Sequence, residues 1–230
     1  MISTKPRQAA ERAGRLLCRL RRNSSGVALT EFALVMPVLF AVGMYGIEIS
    51  YMSSVNMQMS QMALSLADNA SRMEQTNNNT VAPTVTESDI TSIMQGAVQQ
   101  GKSFRFAANG RAIVSSLEKD PTTGKQFIHW QRCTGNLAVQ SSYGNDSTAN
   151  GINGSAISSM GSGATKITAN TGIAVMFVEV YYDYNGLFGT LFVNRTRFKQ
   201  EAAFIVRDVR DLRATNQPGI TGSGGTSPCT

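Results

Sequence analysis

The sequence predicts an α+β fold in which a long N-terminal transmembrane helix continues into a small domain with an antiparallel β-sheet of about four strands. Three observations support this prediction. Residues 27–49 form an apolar run whose only formal charges are Glu31 and Glu48. Apolar residues then recur with the helical period as far as Met73. The second half of the chain contains β-compatible segments separated by turn residues.

A basic leader, residues 1–26, precedes the apolar run. Of the 21 Lys and Arg and the 15 Asp and Glu in the chain, seven basic residues and one acid lie in the leader, which leaves 14 of each in the rest. The neutral body argues against nucleic-acid binding, because a binding domain carries its positive charge on its folded surface. Positive charge beside a membrane span stays on the cytoplasmic side, so the body is expected outside. The basic residues are Lys5, Arg7, Arg12, Arg15, Arg19, Arg21 and Arg22.

Three different kinds of N-terminal segment can carry this much positive charge. A secretory signal peptide would have an apolar stretch of about 7 to 15 residues ending in an A-x-A-like site, whereas the run here is longer and has no such site. An Arg-rich, acid-poor leader also occurs in mitochondrial presequences. The leader could equally be the cytoplasmic tail of an anchor that is never cleaved. The composition leaves these last two alternatives open.

Residues 27–49 are long enough to be a transmembrane helix. At about 1.5 Å per residue the run is roughly 35 Å long, whereas the hydrocarbon core of a bilayer is about 30 Å thick. Glu31 lies only five residues into this run. A charge inside a bilayer costs about 2.5 to 3.5 kcal/mol on insertion scales, so Glu31 either reaches back to the interface or has a function.

The spacing of Gly26 and Glu31 resembles the type III signal of type IV prepilins. The longer string GVALTEFALVMPVLF, residues 26–40, resembles the N-terminus of TadE-like pseudopilins of the tight-adherence (Tad) pilus, including Phe32 and Pro37. This resemblance implies that a prepilin peptidase cuts between Gly26 and Val27. It also implies that Glu31 pairs with the freed amine of a neighbouring subunit. Pro37 removes one helix hydrogen bond and is a candidate kink.

The same resemblance implies a pilin-like fold and a role as a minor pilin or pseudopilin that primes a Tad-type adhesion pilus or lies at its tip. The implied partners are prepilin peptidase, other Tad minor pilins, the major pilin, the inner-membrane assembly platform and the lipid bilayer. The implied location is the bacterial inner membrane with the C-terminal domain in the periplasm, and on the pilus outside the cell after assembly. The alternative from a different class is an uncleaved, single-pass anchored periplasmic scaffold or binding protein.

Residues 50–76 are predicted to extend the membrane helix into the periplasm. No Pro or Gly interrupts the chain from Ser50 to Met73, and apolar residues follow spacings of three and four. We expect this stripe to pack on the protein's own sheet, although a methionine-rich stripe can also be a partner surface. The stripe consists of Val55, Met59, Met62, Leu66, Ala70 and Met73.

Residues 77–213 are predicted to form the globular α+β domain. A short helix begins after a cap at Thr86 or Ser88 and ends at Gly101. An antiparallel hairpin follows, in which residues 111–117 and 126–133 flank the turn sequence DPTTGK.

The strongest predicted strand is residues 173–184, with residues 197–209 as its partner. Alternation along this strand predicts one buried face and one wet face, and the wet face carries Glu179, Tyr181 and Asp183. Residues 140–172 are rich in Ser, Gly, Asn and Thr, which predicts a flexible loop. Residues 214–230 are predicted to be a flexible tail.

The sequence argues against an enzyme and indicates no catalytic residue, metal site or cofactor. It contains no P-loop, G-x-S-x-G elbow or metal-binding motif, and only one histidine, His129, which beside Trp130 indicates ordinary packing. Cys133 and Cys229 fall on the outer side of the membrane, where the oxidising periplasm permits disulfides. A bridge between them would tie the tail to the domain, and two free thiols are the alternative.

Overall fold

The structure is a computed structural model that describes residues 14, 18–19, 25–73, 85–164, 166–207, 210, 212, 219–222, 225 and 228–229. The chain divides into two compact units, residues 1–49 and residues 50–230. The second unit contains a four-stranded antiparallel sheet, so the fold is α+β as predicted. The elements are α1 (Ser25–Ser71), β1 (Val85–Thr86), α2 (Glu87–Gln100), a 3-10 turn (Lys102–Phe104), α3 (Phe106–Asn109), β2 (Gly110–Lys119), β3 (Gln126–Thr134), β4 (Val175–Tyr184), β5 (Thr196–Ile205) and β6 (Ile220–Thr221).

Helix α1 begins at Ser25 and ends at Ser71, and Pro37 lies inside it. Its first part, up to Ile49, belongs to the first unit. In the second unit the helix ends a little before the predicted limit at residue 76, since Arg72 and Met73 follow it as turn and coil. Residues 74–76 of the predicted extension lie outside the described residues.

The part of α1 that belongs to the second unit packs through one face. Val55, Met59, Met62, Leu66 and Ala70 are buried, and Met73 packs against the same core. The prediction that the methionine-rich stripe is core is therefore confirmed. Full burial of side chains of this size contributes about 1.5 to 3 kcal/mol each, which makes the stripe a main attachment of α1 to the domain.

Helix α2 begins with a capping box. The Asp89 backbone N–H donates to the Thr86 hydroxyl at 3.2 Å, and the Thr86 backbone N–H donates to the Asp89 carboxylate at 3.2 Å. Thr86, rather than Ser88, is therefore the cap, and the helix ends at Gly101 as predicted. The buried face of α2 consists of Ile90, Met94 and Ala97.

The sheet has the order β3-β2-β4-β5, and every neighbouring pair is antiparallel. Strands β2 and β3 form the predicted hairpin, with a register shift between Ser116 and Leu117. Strand β4 is central and pairs with β2 and with β5, for example Val178 with Val114 and with Ala202. Strands β2 and β4 are thus the two inner strands of the sheet, each paired on both sides.

Both faces of the sheet are covered. One face packs on α1, α2 and α3 through a core that includes Met176, Val178, Val180 and Tyr182. The other face is covered by residues 137–169, which contribute Ile157, Met160 and Ala169 to a second core with Leu117, Ile128 and Phe177.

The prediction of a wet face on β4 is therefore wrong for two of its three residues. Glu179 is 0% exposed and Tyr181 is 5% exposed, and only Asp183 is partly accessible. The physical reason is that the polar segment 140–172 folds over this face and supplies hydrogen-bond donors to it. Alternation along a strand reports which side chains share a face, and a face covered by polar groups keeps the same alternation.

The described residues of the C-terminal segment contact the domain, although the sequence predicts a flexible tail there. Strand β6 pairs in parallel with β1, with Val85 opposite Ile220. Pro228 forms a bridge with Arg132, and Cys229 is disulfide-bonded to Cys133.

Candidate functional site

The candidate processing site lies in the first turns of α1. Gly26 and Val27 are both helical, and the Val27 side chain is exposed. A Cβ atom built on Gly26 meets nothing within 4 Å. An alanine at this position is therefore compatible with the helix, so its effect on cleavage would report recognition by a peptidase rather than a disturbed fold.

Glu31 lies on the same helix face as Val27, because residues four apart are one turn from each other. Its side chain is exposed, as is that of Phe32. The neighbouring Thr30 hydroxyl donates to the Val27 carbonyl at 2.8 Å, so this polar group is satisfied within the helix. Glu31 therefore stands out as a charged group on an otherwise apolar surface.

The surface around Glu31 is apolar on all sides of the helix. None of the most apolar stretch of α1 is buried within the protein. Within the described residues, α1 is the one helix that is long and apolar enough to cross a membrane. Such a helix fits a single-pass membrane anchor. Its large exposed side chains are Val27, Leu29, Phe32, Leu34, Val35, Val38, Leu39, Phe40, Val42, Tyr45 and Ile47.

The apolar part of α1 contains Pro37, Gly43 and Gly46. Added Cβ atoms at Gly43 and Gly46 would meet nothing within 4 Å. Small residues on a membrane helix allow the backbone of another helix to approach closely.

The disulfide joins β3 to the end of the chain. Cys133 and Cys229 are 96 residues apart in sequence, and their Cα atoms are 4.9 Å apart. Cys18, the remaining cysteine, lies in the leader and is exposed. The structure thus brings together the two cysteines predicted to lie on the outer side and does not involve the third.

The lone histidine belongs to a buried polar pair. The Nδ1 atom of His129 is 2.8 Å from Oε2 of Glu118, and the Ser116 hydroxyl donates to the other oxygen of that carboxylate at 2.8 Å. All three side chains are buried. No group of three His, Cys, Asp or Glu in the described part of the chain could hold a metal ion.

A charge network on the covered face of the sheet is the feature that sequence reasoning missed. The Lys199 ammonium is 3.4 Å from the buried Glu179 carboxylate and 2.5 Å from the Glu201 carboxylate. Residues of the covering segment complete the network, because Tyr143 donates to Glu201 at 2.6 Å and the Ser142 backbone N–H donates to Glu179 at 3.1 Å. Glu179 and Glu201 are directly opposite each other on β4 and β5, and no signal in the sequence indicated the network because this register is seen only in the folded sheet.

This network changes the titration of its members. Burial by itself would raise the pKa of the Glu201 carboxyl. The hydrogen bonds that Glu201 accepts from Lys199, Tyr143 and Ser162 outweigh burial and lower its pKa to about 2. Burial and the hydrogen bond to Glu201 raise the pKa of the Tyr143 hydroxyl to about 12. Over the physiological pH range Glu201 therefore stays ionised and the Tyr143 hydroxyl stays neutral.

Comparison with known proteins agrees with the N-terminal resemblance. The family model described as TadE-like protein matches residues 26–68, so the match begins at Gly26 and covers most of α1. Comparisons with curated proteins and with solved structures found no significant match. The family match involves pilus proteins with a structural role rather than enzymes. The family match over residues 26–68 thus confirms the resemblance to TadE-like proteins, and the chain is consistent with a TadE-like protein of the Tad pilus.

Proposed function

We propose that this protein is a minor pilin or pseudopilin of a Tad-type pilus, made as a precursor and cut by a prepilin peptidase between Gly26 and Val27. The observation that carries the proposal is the TadE-like match, which begins at Gly26 and leaves the basic leader outside. The cut would discard the segment that holds the excess positive charge of the chain. The mature protein would keep the apolar helix in the inner membrane and the α+β domain in the periplasm.

Cleavage is tested by the mass and N-terminal sequence of a C-terminally tagged protein from its native host. We expect the mature protein to begin at Val27 and to lack 26 of the 230 residues of the 24.7 kDa chain, or about 2.8 kDa. Gly26→Ala should block this loss. Gly43→Ala is the matched control, because it makes the same change at another open position of the same helix and should be cut normally.

An intact N-terminus at Met1 in mature cells, with the protein in the membrane, would contradict the proposal. It would favour the uncleaved periplasmic scaffold or binding protein.

We further propose that Glu31 pairs with the Val27 amine of a neighbouring subunit during assembly. Cleavage would create a positive amine four residues before the carboxylate, so that each subunit carries both partners on one helix face. An isolated charge in the bilayer is costly, and pairing within the low dielectric of the membrane offsets that cost for both groups. The Val27 amine of one subunit would pair with the Glu31 carboxylate of the next. The departure of a subunit from the bilayer would then be coupled to its docking on a neighbouring subunit.

The pairing is tested by pilus production in Glu31→Gln cells. We expect normal cleavage and loss of piliation, because glutamine keeps the shape and removes the charge. Glu31→Asp should retain part of the function. Thr30→Val is the control, since it changes a neighbouring polar group without changing charge. Normal pili in Glu31→Gln cells would contradict the pairing.

A further inference from the structure

The connection between β4 and β5 is unusually apolar for an exposed loop. Residues 187–193, Leu-Phe-Gly-Thr-Leu-Phe-Val, contain no charged residue. Leu187 is 51% exposed and Leu191 is 69% exposed. Val193 returns to the main core, so the exposed part is residues 187–192, which we name the apolar tip. Two large exposed apolar side chains within five residues of each other make this loop a candidate interaction site.

The apolar tip has internal structure. The rings of Phe188 and Phe192 contact each other edge to face, with their centroids 5.9 Å apart. Both rings are partly buried, whereas the leucines beside them are exposed. The tip therefore combines two exposed leucine side chains with a partly buried aromatic pair.

The apolar tip begins three residues after Tyr184, the end of β4. Tyr184, the last residue of β4, packs against Tyr51 with ring centroids 6.1 Å apart. Tyr51 is two residues beyond Ile49, the end of the apolar run that fits a membrane span. The end of β4, three residues before the tip, therefore lies near the point where the chain leaves that run. Tyrosines are enriched at such membrane interfaces.

The charge beside the tip fits a phospholipid surface. Arg195 follows the tip and its side chain is exposed. The next basic residue, Arg197, is held by Asp183 through hydrogen bonds of 2.5 and 2.7 Å, so that these two charges offset each other. Arg195 thus supplies the net positive charge at the base of the tip, where the headgroup phosphates would lie.

We infer that the apolar tip inserts into the outer face of the bilayer crossed by residues 27–49 and forms a second membrane contact. The inference depends on the membrane-anchor part of the proposed function and is independent of cleavage. Because the helix already tethers the domain to the bilayer, insertion of the tip is intramolecular, and even a weak contact is populated at the resulting effective concentration. Two contacts would orient the domain above the membrane before assembly.

The experiment uses the full chain with tryptophan at Leu191, in vesicles of phosphatidylcholine and phosphatidylglycerol whose acyl chains are brominated near the headgroup. Bromine quenches tryptophan fluorescence at short range. The only native tryptophan, Trp130, is buried in the domain and supplies a constant background. We expect Leu191→Trp to lose about half of its added emission, because inserted loops reach roughly 5 to 10 Å into the interface.

Three further variants complete the design. Leu64→Trp is the negative control, because Leu64 is 49% exposed and lies 13 residues beyond Tyr51 on the same helix, about 20 Å along its axis. Its emission should not change. Leu39→Trp, within the apolar run, is the positive control and should be quenched. Adding Arg195→Gln to Leu191→Trp should reduce quenching in the mixed vesicles and leave it unchanged in phosphatidylcholine alone.

Quenching of Leu39→Trp without quenching of Leu191→Trp would overturn the inference and leave the membrane anchor intact. Absence of quenching in both variants would overturn the anchor as well. A Leu191→Trp signal that responds only after a second pilus subunit is added would assign the tip to a protein partner and would also overturn the inference.

Discussion

The two parts of helix α1 use apolar residues in opposite ways. From Val27 to Ile47, large apolar side chains surround the helix and most of them remain exposed. From Ser50 onward, most apolar side chains form one stripe that is buried in the domain, whereas Met57 and Leu64 and polar residues such as Asn56 and Gln61 lie outside it. The first pattern is suited to lipid or to neighbouring helices, and the second is suited to a core.

The helix therefore has two independent stabilising environments. The domain part gains free energy from burial within the chain, so its substitutions should change domain stability. The apolar side chains of the membrane part are exposed within the chain, so their burial has to come from lipid or from neighbouring helices. Substitutions there should change insertion or assembly and leave the domain unaffected. Substitutions placed in one environment at a time can test whether the two are separate.

The largest expected effect is on the domain alone and comes from removing the disulfide. Closing a loop of about 100 residues contributes about 4.7 kcal/mol in the chain-entropy model. We expect Cys229→Ser to lower the free energy of unfolding of the domain by about that amount and to leave membrane insertion of the chain unchanged. The measurement is denaturant unfolding of the full chain in detergent, with Cys18→Ser as the neutral control.

The next effect separates the two sides of α1 within the domain. Met62 is fully buried, whereas Leu64, two residues away, is half exposed. We expect Met62→Ala to lower the free energy of unfolding by about 3 kcal/mol, because it leaves a cavity in the core. Leu64→Ala should change it by less than about 0.5 kcal/mol. Equal effects in the same unfolding experiment would show that the stripe is not core.

A charge in the membrane part should act on insertion alone. Leu39 is exposed within the apolar run. We expect Leu39→Lys to disfavour insertion by about 2.5 kcal/mol, as a central lysine does on insertion scales. Domain unfolding should be unchanged. Carbonate extraction of membranes and unfolding in detergent measure the two quantities, and a loss of domain stability would contradict the separation.

The smallest effect is the response to acid, which should be confined to the domain. The folded-state pKa of Glu201 is lowered to about 2 from an ordinary value of 4.5. Its contribution to stability is therefore complete above about pH 4.5 and is lost as the pH falls toward 2. We expect the stability of Glu201→Gln to vary less with pH across this window. Unfolding curves at pH 5 and pH 3 provide the comparison, and equal slopes would exclude the network as the cause.

Much of the fold followed from local patterns. The apolar run, the methionine-rich stripe, the cap at Thr86 and the β2–β3 hairpin all depend on residues within a few turns or one loop of each other. The candidate processing site was also local, because Gly26, Val27 and Glu31 lie within two helical turns. These features can be predicted from a single sequence because the interactions that produce them connect residues close together in the chain.

The covered face of the sheet could not be predicted in the same way. The alternation of β4 correctly grouped Glu179 with Tyr181 but assigned that face to water. Its burial depends on Ser142 and Tyr143, which are more than 35 residues away along the chain. The covering segment is rich in small polar residues, and its few apolar members, such as Ile157 and Met160, become core only because the sheet presents a matching surface.

Consecutive residues were enough to define the long apolar helix, the prepilin-like spacing at its start and the main helices and strands, because hydrophobic length and periodicity are local properties. The burial of particular polar side chains emerged only in the folded chain, since it depends on donors and acceptors brought together from distant segments. The contact of Tyr184, three residues before the apolar tip, with Tyr51 on α1 emerged there too, because it joins residues more than 130 positions apart in the chain.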